Sequence, residues 1–227
     1  YLGGKDRGYE SGKLAIGMAN TKLSPTVAHE WNRLIKPVLA SSDSNVHKWE
    51  DIKIYKSSVV WDKDQTIGYP FVMYYNATGD TTQNNPKWGG VERIGMAVSN
   101  DMENWKRFGN EPVLHHSRGI TGDAVLQKMD NLWIMFYFGA FWKDKKDAFN
   151  RFACSYDLVH WTDWNGDDLI KPSESYDEVY AHKSYVVKNK GIVYHFYCAV
   201  DKKGNRGIAV ATSKDIGKSK LQFIESK

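Results

Sequence analysis

Two polar residues stand at almost the same distance before two aromatic stretches. Asp123 lies 13 residues before Phe136, and His182 lies 14 before Phe196. Aspartate and histidine are both residue types that serve in general acid/base work. More polar residues surround both positions. Gly119–Lys128 reads GITGDAVLQK, and Tyr176–Lys188 reads YDEVYAHKSYVVK, which adds Asp177, Glu178 and Lys183. Glu178 also reads as a solvated loop residue. Trp49–Trp61, WEDIKIYKSSVVW, offers Glu50, Asp51, Lys56 and Ser57. His115 and His116 precede the Asp123 segment and are candidates to line the same space. The plainer readings are an Asp123 that caps a Gly-Asp turn and a His182 that is an ordinary half-buried histidine.

These residues need elements to hold them, and the chain supplies the elements in repeats. Ile94–Arg107 (IGMAVSNDMENWKR), Phe152–Trp164 (FACSYDLVHWTDW) and Ile208–Asp215 (IAVATSKD) repeat a small-residue strand, a Ser and an Asp, the first two with a Trp. Ser99 to Ser155 is 56 residues, and Ser155 to Ser213 is 58. A degenerate copy, Ile16–Arg33, places Trp31 in the tryptophan position. Aromatic strands precede the later copies: Tyr69–Ala77, Asn131–Trp142 and Gly191–Val200. Shorter β-branched runs precede those: Ser57–Trp61, Ala124–Lys128 and Ser184–Lys188. Four strands per unit at this period predict an all-β propeller of four-stranded antiparallel blades. We expect one domain over 1–227, with blade remnants near 1–40 and blades at about 49–114, 119–170 and 178–227. The tail Leu221–Ser226 is a candidate closing strand, and the leading blade is expected to be incomplete. An incomplete ring leaves an open edge or calls for another chain, as in a homodimer.

In a propeller the innermost strands converge on a central channel, so residues at their starts meet although distant in sequence. Residues that break the repeat are better candidates for substrate contact than residues that follow it. Trp88, in the Thr78–Val91 loop, and Trp142, at the end of an aromatic strand, break it. Trp105 and Trp161 follow it and are expected to pack between blades. Arg93 suits either a sugar hydroxyl or carboxylate, or a surface ion pair.

The composition fits a globular domain. Nine Trp and thirteen Tyr supply both blade packing and aromatic faces on which a sugar ring can lie. The net charge of +4, with both signs interspersed, argues against a nucleic-acid footprint. No apolar run is long enough to span a bilayer as a helix, so no membrane partner is expected. Cys154 and Cys198 fall inside strand patterns and read as small buried hydrophobes. No signal peptide is visible, and the chain starts without Met, which we read as a mature or truncated product.

The blade signature IGMAVSNDMENWKR, with GDAVLQKMDNLWIMFYFG and AHKSYVVKNKGIVYHFYCAV, resembles the five-bladed propeller glycosidases. These are glycoside hydrolase family 43 and its relatives, families 32, 117 and 130, and the likeness runs from about Lys13 onward. Family 43 usually has Glu-Gly-Pro where this chain has His182, so family 117, in which a His acid has been proposed, resembles it better. The resemblance implies exo-acting, inverting hydrolysis of an oligo- or polysaccharide by a general acid and a general base. It assigns Asp123 to the carboxylate that tunes the acid and keeps the imidazole protonated, and His182 or Glu178 to the acid; Trp88, Arg93, His116, Trp142 and Lys183 are our candidates for substrate contact. The family's base, an Asp on the first inner strand, has no match here. No cofactor is implied beyond a structural cation in the channel, and a secreted or periplasmic location is expected. The alternatives are a carbohydrate-binding propeller without catalysis and a family 130-like phosphorylase, which needs a cationic phosphate site.

Overall fold

A computed structural model describes residues 2–3, 13–24, 26, 29–79 and 91–214. Trp88, Asp6, Asp215 and the tail Leu221–Ser226 lie outside the described residues. The described chain is a succession of small antiparallel sheets. An N-terminal sheet joins β1 (Leu2–Gly3), β2 (Leu14–Ile16) and β5 (Leu39–Ala40), with a hairpin of β3 (Ala19–Asn20) and β4 (Asn32–Arg33) inserted. The first full blade is β6 (Lys53–Trp61), β7 (Phe71–Thr78), β8 (Glu92–Ser99) and β9 (Lys106–Arg107). The second is β10 (Ile120–Met129), β11 (Leu132–Phe141), β12 (Lys146–Ser155) and β13 (Thr162–Asp163). The third joins β14 (Tyr180–Asn189), β15 (Ile192–Val200) and β16 (Arg206–Thr212). This is the expected propeller. The β-branched runs became inner strands and the aromatic runs became second strands, within a few residues of the predicted bounds.

The repeated signature is a turn. Ser99 Oγ donates to Asp101 at 3.0 Å, and Asp101 collects the backbone N–H groups of Glu103 and Asn104. Ser155 and Asp157 do the same for Val159 and His160. Such Asx chemistry satisfies backbone donors without a ladder. In each turn one residue takes a positive φ, Met102 at 67° and Leu158 at 66°. The following Trp indole donates to that residue's carbonyl. Trp161 then lies edge-on to Tyr74 of the preceding blade at 5.7 Å, and the Tyr74 hydroxyl donates to Leu158 O at 2.6 Å. Trp105 packs against the buried cluster that joins Ile16 and Leu39 of the N-terminal sheet to Ile54, Met73 and Tyr75 of the first blade. Both tryptophans therefore pack between blades, as expected.

The main core lies between the first two blades, where Val72, Tyr74, Ile94 and Met96 meet Ala124, Trp133, Met135 and Tyr137. On the third blade, Phe196 pairs with Val210 as Phe136 pairs with Phe152 in the second. Phe136 is buried and meets His195 of the third blade edge-on, at 5.6 Å. Phe196, Val210, Ile208 and Tyr185 are instead exposed. The charged stretch after β11 is not an open loop. Lys143–Asn150 is a single 3-10 turn, Trp142–Asp144, running directly into β12. Its dense charge conceals the strand, whose ladder to β11 is clear only in the pairing.

Each inner strand carries one residue more than its partner can pair. The ladder shifts between Tyr55 and Ser57, between Gly122 and Val125, and between His182 and Tyr185. A left-handed residue marks each bulge: Lys56 at φ 45°, Asp123 at 56° and Lys183 at 62°. Opposite every bulge the second strand places a tyrosine: Tyr75, Tyr137 or Tyr197. Each tyrosine hydroxyl donates to a carboxylate. The acceptors are Glu50 at 2.7 Å, Asp163 at 2.5 Å and Asp177 at 2.9 Å. Burial pushes all three phenols up, and the acidic neighbours push further. Glu50 is wholly buried and also receives Arg107 Nε at 2.6 Å, while Arg107 reaches Asp43, Asn45 and Ala40 O. Glu50 and Asp177 are thus props beneath the inner strands.

Glu50 leads to a stability prediction. Glu50→Ala strands a buried guanidinium and a phenol, and should cost about 3–5 kcal/mol in urea unfolding. Glu50→Gln keeps the shape and should cost clearly less. Equal losses for the two would show that the charge is immaterial.

Candidate functional site

The bulges fix which residues correspond across blades. Asp123 corresponds to Lys56 and Lys183, all at positive φ. His182, one residue earlier, corresponds to Gly122 and Tyr55. The one-residue difference between the spacings 13 and 14 is therefore real. Non-glycine residues at positive φ are uncommon, and the conformation is strained for lysine. A bulge re-aims the side chain it carries. The result is visible at the first blade boundary, where Lys56 Nζ lies 3.2 Å from Asp123 Oδ1.

Around Asp123 the structure adds two residues that the sequence did not nominate. Asn76, on β7, accepts the Asp123 N–H at 2.9 Å and donates to Asp123 Oδ1 at 2.6 Å. The same Nδ2 donates to Glu92 Oε1 at 2.5 Å. Asn76 and Glu92 are both buried. Gly122 makes the room: a Cβ there would stand 2.3 Å from Glu92 Oε1 and 2.8 Å from Asn76 Nδ2. The one available signal was a polar Asn within the aromatic strand FVMYYNAT.

His182 lies across Phe138 from this cluster. Its ring meets Phe138 edge-on at 5.8 Å and Tyr180 at 5.6 Å. Lys56 Nζ stands 5.9 Å from the centre of the same Phe138 ring. His182 Nδ1 lies 3.1 Å from Cys198 O. A carbonyl only accepts, so Nδ1 carries the proton and Nε2 presents a lone pair. Burial pulls the imidazole from its ordinary 6.5 down to about 4, and Lys183, Arg206 and Lys56 contribute in the same direction. The hydrogen bond to Cys198 O resists only in part. This corrects the expectation of a carboxylate that keeps His182 protonated. The charges that act on it are cationic, and the ring is neutral near pH 7.

The remaining candidates spread out. Lys183 sits at its bulge beside His182. Glu178 is partly exposed and pairs with Lys202 at 2.8 Å. His116 Nε2 lies 3.3 Å from Tyr137 Oη and 3.4 Å from Asp163 Oδ2, with its ring 4.7 Å from Phe141. It belongs to the tyrosine prop of the second blade. Arg93 is buried on the alternate side of β8 from Glu92 and donates to Val91 O at 3.3 Å. Trp142 begins the 3-10 turn beside Gly119. Trp88 lies outside the described residues. Among the described residues no three His, Cys, Asp or Glu side chains gather into a metal-binding group.

No protein-family model matches the chain. Two solved structures, one an RGII complex and the other named a glycoside hydrolase, are each 53% identical to it, with a TM-score of 0.78. Each match covers 91% of this chain and 59% of the solved one. A thermostable family-43 glycoside hydrolase shares the fold at 18% identity and a TM-score of 0.57, over 83% of this chain and 59% of the other. A curated protein, beta-1,2-mannobiose phosphorylase of Thermoanaerobacter sp. (strain X514), is 28% identical over 170 residues, 70% of this chain and 52% of that protein. The chain thus spans only about half to three-fifths of the length of these relatives.

The buried imidazoles predict acid sensitivity. His182 and His195 both fall from 6.5 to about 4, His195 through burial alone. Each binds its proton more weakly when folded. The stability they confer is full above pH 6.5 and drains away as pH falls from 6.5 toward 4. The loss is on the order of 3 kcal/mol for each histidine. Urea midpoints at pH 7.5, 5.5 and 4.5 for the parent, His182→Gln and His195→Gln would measure it. A histidine variant that loses stability as steeply as the parent over this window would refute the assignment.

Proposed function

We propose that this propeller of the glycosidase superfamily hydrolyses an O-glycosidic bond in an oligo- or polysaccharide. Asp123, Lys56, His182 and Lys183 form its sugar site. The observation that carries this is a chain of contacts from Asp123 through Lys56 to Phe138 and His182, at the bulges of three inner strands. The 53% identity to a solved glycoside hydrolase supports the reading.

Inverting hydrolysis needs two catalytic groups about 6.5–9.5 Å apart, so that water fits between them and the sugar. Glu92 is a poor second group for Asp123. Oxygens bonded to one amide nitrogen lie at most about 5 Å apart, and Glu92 is buried. Asp123 Oδ1 is occupied by Asn76 and Lys56, whereas Oδ2 has no hydrogen bond among the described residues. We assign Oδ2 to the substrate side. Neutral His182 offers Nε2 as an acceptor for a sugar hydroxyl, and it serves as proton donor only where bound substrate or another acid restores its proton. Glu178 is the alternative donor. Exo action and inversion are part of the proposal and rest on the family resemblance.

A phosphorylase is the second reading. It is favoured by the three cations that act on His182 and by the likeness to a mannobiose phosphorylase.

Both readings are tested on a panel of para-nitrophenyl glycosides and oligosaccharides, with and without inorganic phosphate. Asp123→Asn keeps a residue that tolerates positive φ, and should lower kcat/KM by about 100-fold or more. His182→Gln should also lower it. Turnover unchanged by both substitutions would sink the assignment. Turnover strictly dependent on phosphate would favour the phosphorylase. Tight sugar binding by calorimetry with no product would favour a binding propeller.

A further inference from the structure

One amide holds Asp123 at two points and Glu92 at a third. Asn76 Oδ1 takes the Asp123 backbone N–H, one Nδ2 hydrogen goes to Asp123 Oδ1, and the other goes to Glu92 Oε1. Both hydrogens of the side-chain amide and its oxygen are used. The amide cannot turn over. Its reverse orientation would set the NH2 group against the Asp123 N–H and the oxygen against two carboxylates. Burying a polar group is costly unless it is satisfied, and Asn76 is wholly buried, so this one orientation is enforced.

Comparison across blades separates this device from the scaffold. The tyrosine opposite the bulge recurs in all three blades. The position of Asn76 does not. Its counterparts, paired with Gly122 and His182 as Asn76 pairs with Tyr55, are Phe138 and Cys198. A blade therefore builds its bulge without an amide there. The glycine is also particular to this boundary. The counterparts of Gly122 carry side chains, whereas any side chain at Gly122 would collide with Glu92 and Asn76. Among the three described bulges, glycine, amide and second carboxylate occur together only around Asp123.

We propose that Asn76 is a positioning residue for Asp123. It fixes both the left-handed backbone turn and the carboxylate rotamer, so that Oδ2 faces the channel, and Glu92 and Gly122 hold the amide in place. This rests on the reading that Asp123 acts on a glycoside, and it adds the group through which Asp123 is aimed.

The test uses the full chain and the para-nitrophenyl glycoside that the parent cleaves fastest. Asn76→Ala should lower kcat by about 100-fold, as expected when a reacting group is misplaced by about 1 Å. KM should change by less than about threefold, because binding contacts remain. In an Asp123→Asn background, Asn76→Ala should cause no further loss, since Asn76 acts through Asp123. An unchanged kcat, or an effect that simply adds to that of Asp123→Asn, would overturn the proposal. Should Asn76→Ala fail to fold, Gly122→Ala, which crowds the clamp from the other side, is judged by the same criteria. Amide hydrogen exchange reads the clamp independently of turnover. The Asp123 N–H should exchange about tenfold faster in the folded Asn76→Ala variant. If Asp123→Asn leaves turnover intact, the functional reading fails, and the exchange rate alone decides whether the clamp exists; an unchanged rate removes it.

Discussion

An extra residue in each inner strand is the constraint on which the rest of this structure depends. A β-ladder tolerates one unpaired residue by bending and twisting locally. In β6, β10 and β14 that residue takes a left-handed conformation, and Lys56, Asp123 and Lys183 are the residues so placed. None is glycine. The surroundings must therefore over-determine a conformation that lysine disfavours, and such conformations cluster at functional sites. A regular ladder in β10 would alternate its side chains simply between faces, and the Lys56–Asp123 contact would have no reason to form.

The bulges need support from beneath. Where the inner strand pulls away from its partner, a tyrosine ring fills the space, and its hydroxyl must find an acceptor once buried. Glu50 and Asp177 supply it from just before their inner strands. The second blade solves the same problem from the other edge of the sheet, with Asp163 on β13 and His116 beside it. The acids of these blades are thus divided by role. Glu50, Asp163 and Asp177 hold tyrosines, whereas Asp123 keeps one carboxylate oxygen without a hydrogen bond among the described residues.

Electrostatics divides the site further. Asp123 sits in a polar nest of Asn76, Glu92 and Lys56. His182 sits between aromatic rings, under the influence of three cations, and is held neutral. One side therefore presents a carboxyl group, and the other a neutral acceptor near positive charge.

Much of this was legible in the chain alone. The 56–58-residue repeat, the alternation of β-branched and aromatic runs, and the Ser-x-Asp turns depend on local chemistry. Local chemistry determined the strands, the blades and the turns that seat Trp105 and Trp161. The equivalence of Asp123 with Lys183 was hidden because a bulge changes register without marking the sequence. The Asn76–Asp123 contact joins residues 47 apart on different blades, and the Lys56–Asp123 pair also crosses a blade boundary. The protonation state of His182 follows from burial and from three cations on two other elements and its own. Sequence by itself determined the scaffold because hydrophobic period and turn chemistry act over a few residues. Only the tertiary structure decided which carboxylates prop the fold and which keeps an oxygen without a hydrogen bond among the described residues, because that depends on what each group meets across a blade boundary.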